Sequence, residues 1–131
     1  MIVIDTHVWL WWVSDPAQLS DPARQAIDAA ALRHELFVST ISAWEVAMLV
    51  EKGRLTLTLD VRDWIARSEA LPFLTFAPLT NVVAVEAVRL PNFPHADPAD
   101  RIIAATTLSL GAALVSKDEK LRGYPPLRTI W

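Results

Sequence analysis

Four short segments of this chain, Ile2-Val3-Ile4, Leu36-Phe37-Val38-Ser39, Phe73-Leu74-Thr75-Phe76 and Ala113-Leu114-Val115-Ser116, are apolar runs without polar alternation. A strand with one wet face alternates, whereas an unbroken apolar strand is covered on both faces, as in the middle of a parallel sheet. Helical signals fill the spaces between these runs. An aromatic-rich helix follows Asp5. Ser20-Asp21-Pro22 offers an N-cap and an early proline for a helix running to about His34. Thr40 to Lys52 is stopped by Gly53, Asp60 to Ala70 ends before Pro72, Thr80 to Leu90 follows, and Asp97 to Leu110 is stopped by Gly111. Arg128 to Trp131 reads as a short edge strand. Strands alternating with helices build βαβ units, so the expected fold is α/β: a three-layer α/β/α sandwich around a central parallel sheet.

Composition narrows the classes. The chain has 131 residues, read as one domain over 1–131, and its 53% apolar content excludes disorder. A net charge of −3 provides no global basic field for nucleic acid, though it leaves room for local basic groups. The absence of cysteine excludes disulfides and thiolate zinc sites. No apolar stretch reaches the roughly 20 residues of a membrane span, so a soluble, cytoplasmic protein without a membrane partner is expected.

The carboxyl ends of parallel strands are where such sheets bind ligands. Asp5 ends the first run, and Asp118 follows the fourth. Glu45 lies near the start of the helix after the second run, and Asp97 and Asp100 open the last long helix. Each acid has an ordinary explanation. Ser42 and Glu45 fit a capping box, Asp97-Pro98 fits a helix start, and Asp118 fits a turn in a charged run. Asp5 resists such a reading, because an acid ending a buried strand is costly without a partner. Together at one edge, the acids would repel one another unless a hard divalent cation, Mg²⁺ or Mn²⁺, lay among them.

The set Ile4-Asp5-Thr6-His7-Val8-Trp9, Ser39-Thr40-Ile41-Ser42-Ala43-Trp44-Glu45, His95-Ala96-Asp97-Pro98-Ala99-Asp100-Arg101 and Val115-Ser116-Lys117-Asp118 resembles the PIN-domain family, and within it the VapC-type toxins. The likeness runs from the first strand to the last. It implies an endoribonuclease dependent on Mg²⁺ or Mn²⁺, with Asp5, Glu45, Asp100 and Asp118 as the metal-binding and catalytic acids. Asp97 is assigned a supporting role, and Thr6 and Ser116 are placed beside the acids to hold them or a metal-bound water. The expected reaction is in-line attack by metal-activated water, with Glu45 or Asp118 taking its proton. Arg101 and Lys117 adjoin site acids and are candidate RNA-phosphate contacts, with pairing of Arg101 to Asp97 as the alternative for that residue. His7 and His95 are read as structural and His34 as lying on a helix surface. The resemblance also implies a cognate antitoxin as partner and a homodimer. Trp9, Trp11, Trp12 and Trp44 are divided between core and interface.

Related architectures fit less well. A receiver domain needs a phospho-accepting Asp ending its middle strand, and Phe73–Phe76 has none; a phosphatase of the haloacid dehalogenase type needs Asp where His7 stands. The remaining alternative is a PIN-like module that binds nucleic acid or protein without catalysis.

Overall fold

The computed structural model describes residues 1–131. Five strands form one fully parallel sheet: β1 (Ile2–Ile4), β2 (Leu36–Ser39), β3 (Leu74–Ala77), β4 (Ala113–Val115) and β5 (Thr129–Ile130), in the order β3-β2-β1-β4-β5. Seven helices connect them: α1 (Thr6–Ser14), α2 (Asp21–Leu32), α3 (Thr40–Glu51), α4 (Val61–Glu69), α5 (Asn81–Arg89), α6 (Pro98–Ser109) and α7 (Glu119–Arg122). A single 3₁₀ turn spans Pro16–Gln18.

The pleat of the sheet sorts its side chains into two layers. Ile2, Ile4, Leu36, Val38 and Val115 face a core shared with Val8 and Trp9 of α1, Ile27 of α2 and Trp64 of α4. Val3 and Leu114 point the other way, against Ile103 and Ala104 of α6 and Leu121 of α7. Outside α6, Val83 and Ala87 of α5 pack on Ala105. The architecture is the expected α/β sandwich.

Local signals explain most boundaries. Ser20, Asp60 and Thr80 cap α2, α4 and α5 with side-chain oxygens. Gly53 and Gly111 follow α3 and α6 with φ of 68° and 63°, where a side chain would strain the backbone. Three expectations shift. The third strand is Leu74–Ala77, one residue later than Phe73–Phe76, because Leu74 pairs with Leu36 while Phe73 packs edge-on against Trp12. The second helix stops at Leu32, so His34 sits in a left-handed turn (φ 56°) rather than on a helix surface. Asp118 begins a short helix, α7, rather than a turn alone.

The tryptophans separate cleanly. Trp9 and Trp64 are buried, Trp11, Trp12 and Trp131 are half-buried against the same core, and Trp44 is 56% exposed. No helix is long and apolar enough to cross a membrane.

Candidate active site

Strands β1, β2 and β4 all run toward the same edge, and each passes at once into a helix N-terminus or a short loop before one. That edge therefore gathers helix starts, which favour carboxylates. Asp5 caps α1, its Oδ1 accepting from the Thr6 N–H at 2.7 Å. Asp97 caps α6, accepting from the Ala99 N–H at 2.9 Å, and Asp100 lies in that helix's first turn. Asp118 caps α7, its Oδ1 accepting from the Lys120 and Leu121 N–H groups at 2.8 and 3.2 Å. Glu45 stands farther along α3, which is capped by Ser39 rather than Ser42. The capping-box explanation of Glu45 is thereby removed. For Asp5, Asp97 and Asp118, capping and cavity-lining coincide in one carboxylate.

These five acids line a single cavity of about 430 Å³, with His7, Trp11 and Lys117 completing the wall. Two hydroxyls brace it. The Ser116 hydroxyl, fully buried, donates to Asp5 Oδ2 at 2.8 Å and accepts from the Asp118 N–H at 3.1 Å, fixing β1 to the loop after β4. Thr6 donates to Glu45 Oε1 at 2.6 Å and lies 2.8 Å from Ser42 Oγ. A hydroxyl has one proton, so with Thr6 donating to the carboxylate, Ser42 donates into Thr6. The backbone N–H and hydroxyl of Thr6 thus join Asp5 to Glu45 across two helices.

The clustered carboxylates strain one another electrostatically. Burial pushes the Asp5 carboxyl up despite the hydrogen bonds from Ser116 and Thr6. Burial likewise raises Glu45, with Asp5 and Asp97 adding repulsion against the opposing bond from Thr6. Asp100 is pushed to about 7, first by burial and then by Asp5, with Asp97 and Glu45 adding to it. Asp118 goes the other way: burial raises it, but the Leu121 and Lys120 N–H groups and His95 outweigh that and hold it low. Clustered, poorly compensated carboxylates suit a hard divalent ion, and the His95 imidazole adds a nitrogen donor beside Asp100 and Asp118. Asp5, Glu45, Asp100 and Asp118 would hold it, with Asp97 at the rim.

Folding stability should report this strain. The folded pKa of Asp100 lies above its ordinary 3.8, so its stabilising contribution is complete below that value and lost as pH rises through about 7. In chelator, unfolding at pH 5 is expected to cost roughly 2 kcal/mol more than at pH 8, the full shift being discounted for the solvent-filled cavity. Excess Mg²⁺ should flatten that difference. Urea denaturation at the two pH values checks it, and metal-free stability that is flat or rises toward pH 8 would contradict it.

The structure turns two basic groups in different directions. Lys117 lines the cavity, its Nζ 5.9 Å from the Trp11 ring. Arg101 neither lines the cavity nor pairs with Asp97. Its Nη1 donates to the Ala87 carbonyl at 3.1 Å, and its guanidinium lies 5.3 Å over the Phe93 ring. His95, read from the sequence as structural, sits within the acid cluster: Nε2 is 3.0 Å from Asp118 Oδ2 and 3.8 Å from Asp100 Oδ2. One potential ligand atom from each of these three residues falls within 4.8 Å of the others. The sequence signal was the proline-stiffened Pro94-His95-Ala96 approach to the α6 cap.

Known proteins resemble this chain along nearly its whole length. The PIN domain family model matches residues 2–125. Ribonuclease VapC22 of Mycobacterium tuberculosis is 39% identical over 132 residues, covering 99% of this chain and 98% of its own. The chain belongs to the PIN-domain family, in its VapC-type branch. Its fold is shared with solved structures. VapBC2 of Rickettsia felis, bound to a promoter DNA fragment, matches with TM-score 0.72 at 16% identity, over 98% of this chain and 97% of that one. FitAcB of Neisseria gonorrhoeae matches with TM-score 0.66 at 21% identity, over 98% and 96%.

Proposed function

We propose that this chain is a divalent-metal-dependent endoribonuclease, the toxin of a toxin–antitoxin pair acting in the cytoplasm. The observation that carries this reading is the meeting of Asp5, Glu45, Asp100 and Asp118, from four separate parts of the chain, in one cavity. The 39% identity to a ribonuclease supports the substrate class, and the toxin–antitoxin complexes among the structural neighbours support a protein inhibitor.

When bound, Mg²⁺ or Mn²⁺ supplies Lewis acidity, charge neutralisation and an acidified water. The chain does the rest. Asp5, held from both sides by Thr6 and Ser116, is the fixed point of the acid set. Glu45 is the better base for the attacking water: its Oε2 has no protein partner, and its pKa is raised. Asp118 has both oxygens engaged and a lowered pKa. Glu45 takes a proton from the water, the water oxygen bonds to phosphorus, the P–O3′ bond breaks, and O3′ takes a proton from solvent, giving a 5′-phosphate and a 3′-hydroxyl. Lys117, at the cavity wall, is placed to meet a phosphate.

A basic side chain from an antitoxin could sit among the same carboxylates and displace the metal. Val82, Val85 and Val88 leave an exposed apolar stripe on α5, the kind of surface on which the expected second copy of this chain would be sought. The test is end-group mapping of RNA cut by the purified chain. Ligatable 5′-phosphates are expected in Mg²⁺ or Mn²⁺, with Ca²⁺ a poor substitute because of its looser geometry. Cyclic-phosphate ends, or equal activity in Ca²⁺, would overturn the mechanism.

A further inference from the structure

The acid cavity does not end at its aromatic wall. His7 and Trp11 stand four residues apart on α1, on one face of the helix. They line the acid cavity and also a second groove of about 300 Å³, which continues past Leu10, Leu49 and Leu55 to Arg54. Their rings lie 5.9 Å apart, and Trp131 stands 5.9 Å from Trp11 on another side. Lys117 Nζ lies over the Trp11 ring at 5.9 Å. His7, Arg54 and Lys117 are exposed, while Trp11 is half-buried and held against the core. The groove thus offers an anchored indole beside the acids, Lys117 over that indole, and Arg54 and leucines farther along its wall.

We infer that the Trp11 groove is a subsite for one unstacked base of single-stranded RNA next to the scissile phosphate. The base stacks at Trp11 and His7, and Lys117 and Arg54 meet the flanking phosphates. Three features select this occupant. The groove shares two wall residues with the acid cavity, so a strand whose phosphate lies among the acids passes directly over Trp11. The acids repel a polyanion, and Lys117 and Arg54 are the cations placed along that path. Stacking tolerates any base and needs no hydrogen-bond partner, which suits a groove with leucines along its wall. Ser14, Asp15 and Thr56 also line the groove, so its wall is half polar around the leucines.

This subsite rests on the ribonuclease reading, so binding and cleavage are measured separately. In Mg²⁺ with a mapped oligonucleotide, Trp11→Ala is expected to raise KM about 10–100-fold with kcat nearly unchanged, as loss of one stacked base predicts. Trp11→Phe should restore most of the affinity. Replacing the base at one flanking position by an abasic nucleotide should weaken the parent and leave Trp11→Ala indifferent, a coupling that a merely structural role would not produce. Arg54→Ala, an exposed change, should weaken binding several-fold and reduce its salt dependence even if Trp11→Ala folds poorly. Unchanged KM in the Trp11 and Arg54 variants overturns the subsite, as does an abasic effect equal in parent and variant. Weakened antitoxin binding with normal RNA kinetics would make the groove a protein-docking surface instead, and also overturns it. Trp11-dependent RNA binding by anisotropy, without any cleavage, would support the subsite and sink the nuclease reading alone.

Discussion

Replacing Asp5 by Asn is expected to lower kcat/KM for RNA by on the order of 10³-fold, the scale of losing a charge-stabilising group at a reaction centre. The same change should leave the metal-free fold at least as stable as the parent. Asp5 is only 8% exposed, and burial raises its pKa, so its ionised form opposes folding. Asparagine keeps the size of the side chain and an oxygen to accept from the Thr6 N–H at the α1 cap. It removes one negative charge from a cluster shared with Glu45, Asp100 and Asp118. Cleavage assays and urea denaturation of the same preparation separate the two effects. Parental cleavage by the Asp5→Asn protein would remove Asp5 from the site, and a large loss of stability would show that its charge supports the fold.

Trp9→Ala is expected to cost about 3–5 kcal/mol, enough to lower the melting temperature by roughly 10–20 °C. Trp9 is fully buried, with its ring 4.7 Å from Trp64 and 5.5 Å from Phe76. Its Nε1–H donates to the buried Ser68 hydroxyl at 3.1 Å. Truncation would empty the space between α1, α4 and β3 and leave Ser68 without that partner. Thermal unfolding measures the cost. A loss below about 1 kcal/mol would mean that the core relaxes around the gap, as a site free to collapse can.

The contrast between these two residues shows what the sequence carries openly. Unbroken apolar runs predict the buried strands, and the acids that end them need no knowledge of packing to be suspected. Asp5 is legible because a carboxylate ending the buried run Ile2-Val3-Ile4 is costly without a partner, although the structure also gives it an ordinary role as the α1 cap. Glu45 and Asp118 are harder, since capping boxes and charged turns produce the same letters. Only the structure shows Ser39, not Ser42, capping α3 and Asp118 capping a four-residue helix. Such a helix is too short to leave a periodic pattern.

Other features depend on distance in space. His95 reaches Asp118 across 23 residues of sequence, and Arg101 is taken up by a carbonyl of the neighbouring helix. Neither partner is visible from local spacing. The tryptophans are similar, because Trp9 and Trp11 differ by two positions yet one is sealed in the core and the other faces two cavities. Helical periodicity separates their faces, but only the neighbouring elements determine which face is covered.

The most direct measurement is cleavage of a labelled RNA by the purified chain in EDTA, then after addition of excess Mg²⁺ or Mn²⁺, with Asp100→Asn run in parallel. Asp100 is one of three cavity acids pushed up by burial, to about 7 in its case, and it also feels the charge of Asp5. The carboxylate-site account predicts no cutting in chelator, full recovery with either metal, and no recovery in the Asp100→Asn protein. Cutting in EDTA at the parental rate, or an Asp100→Asn protein as active as the parent, would contradict it.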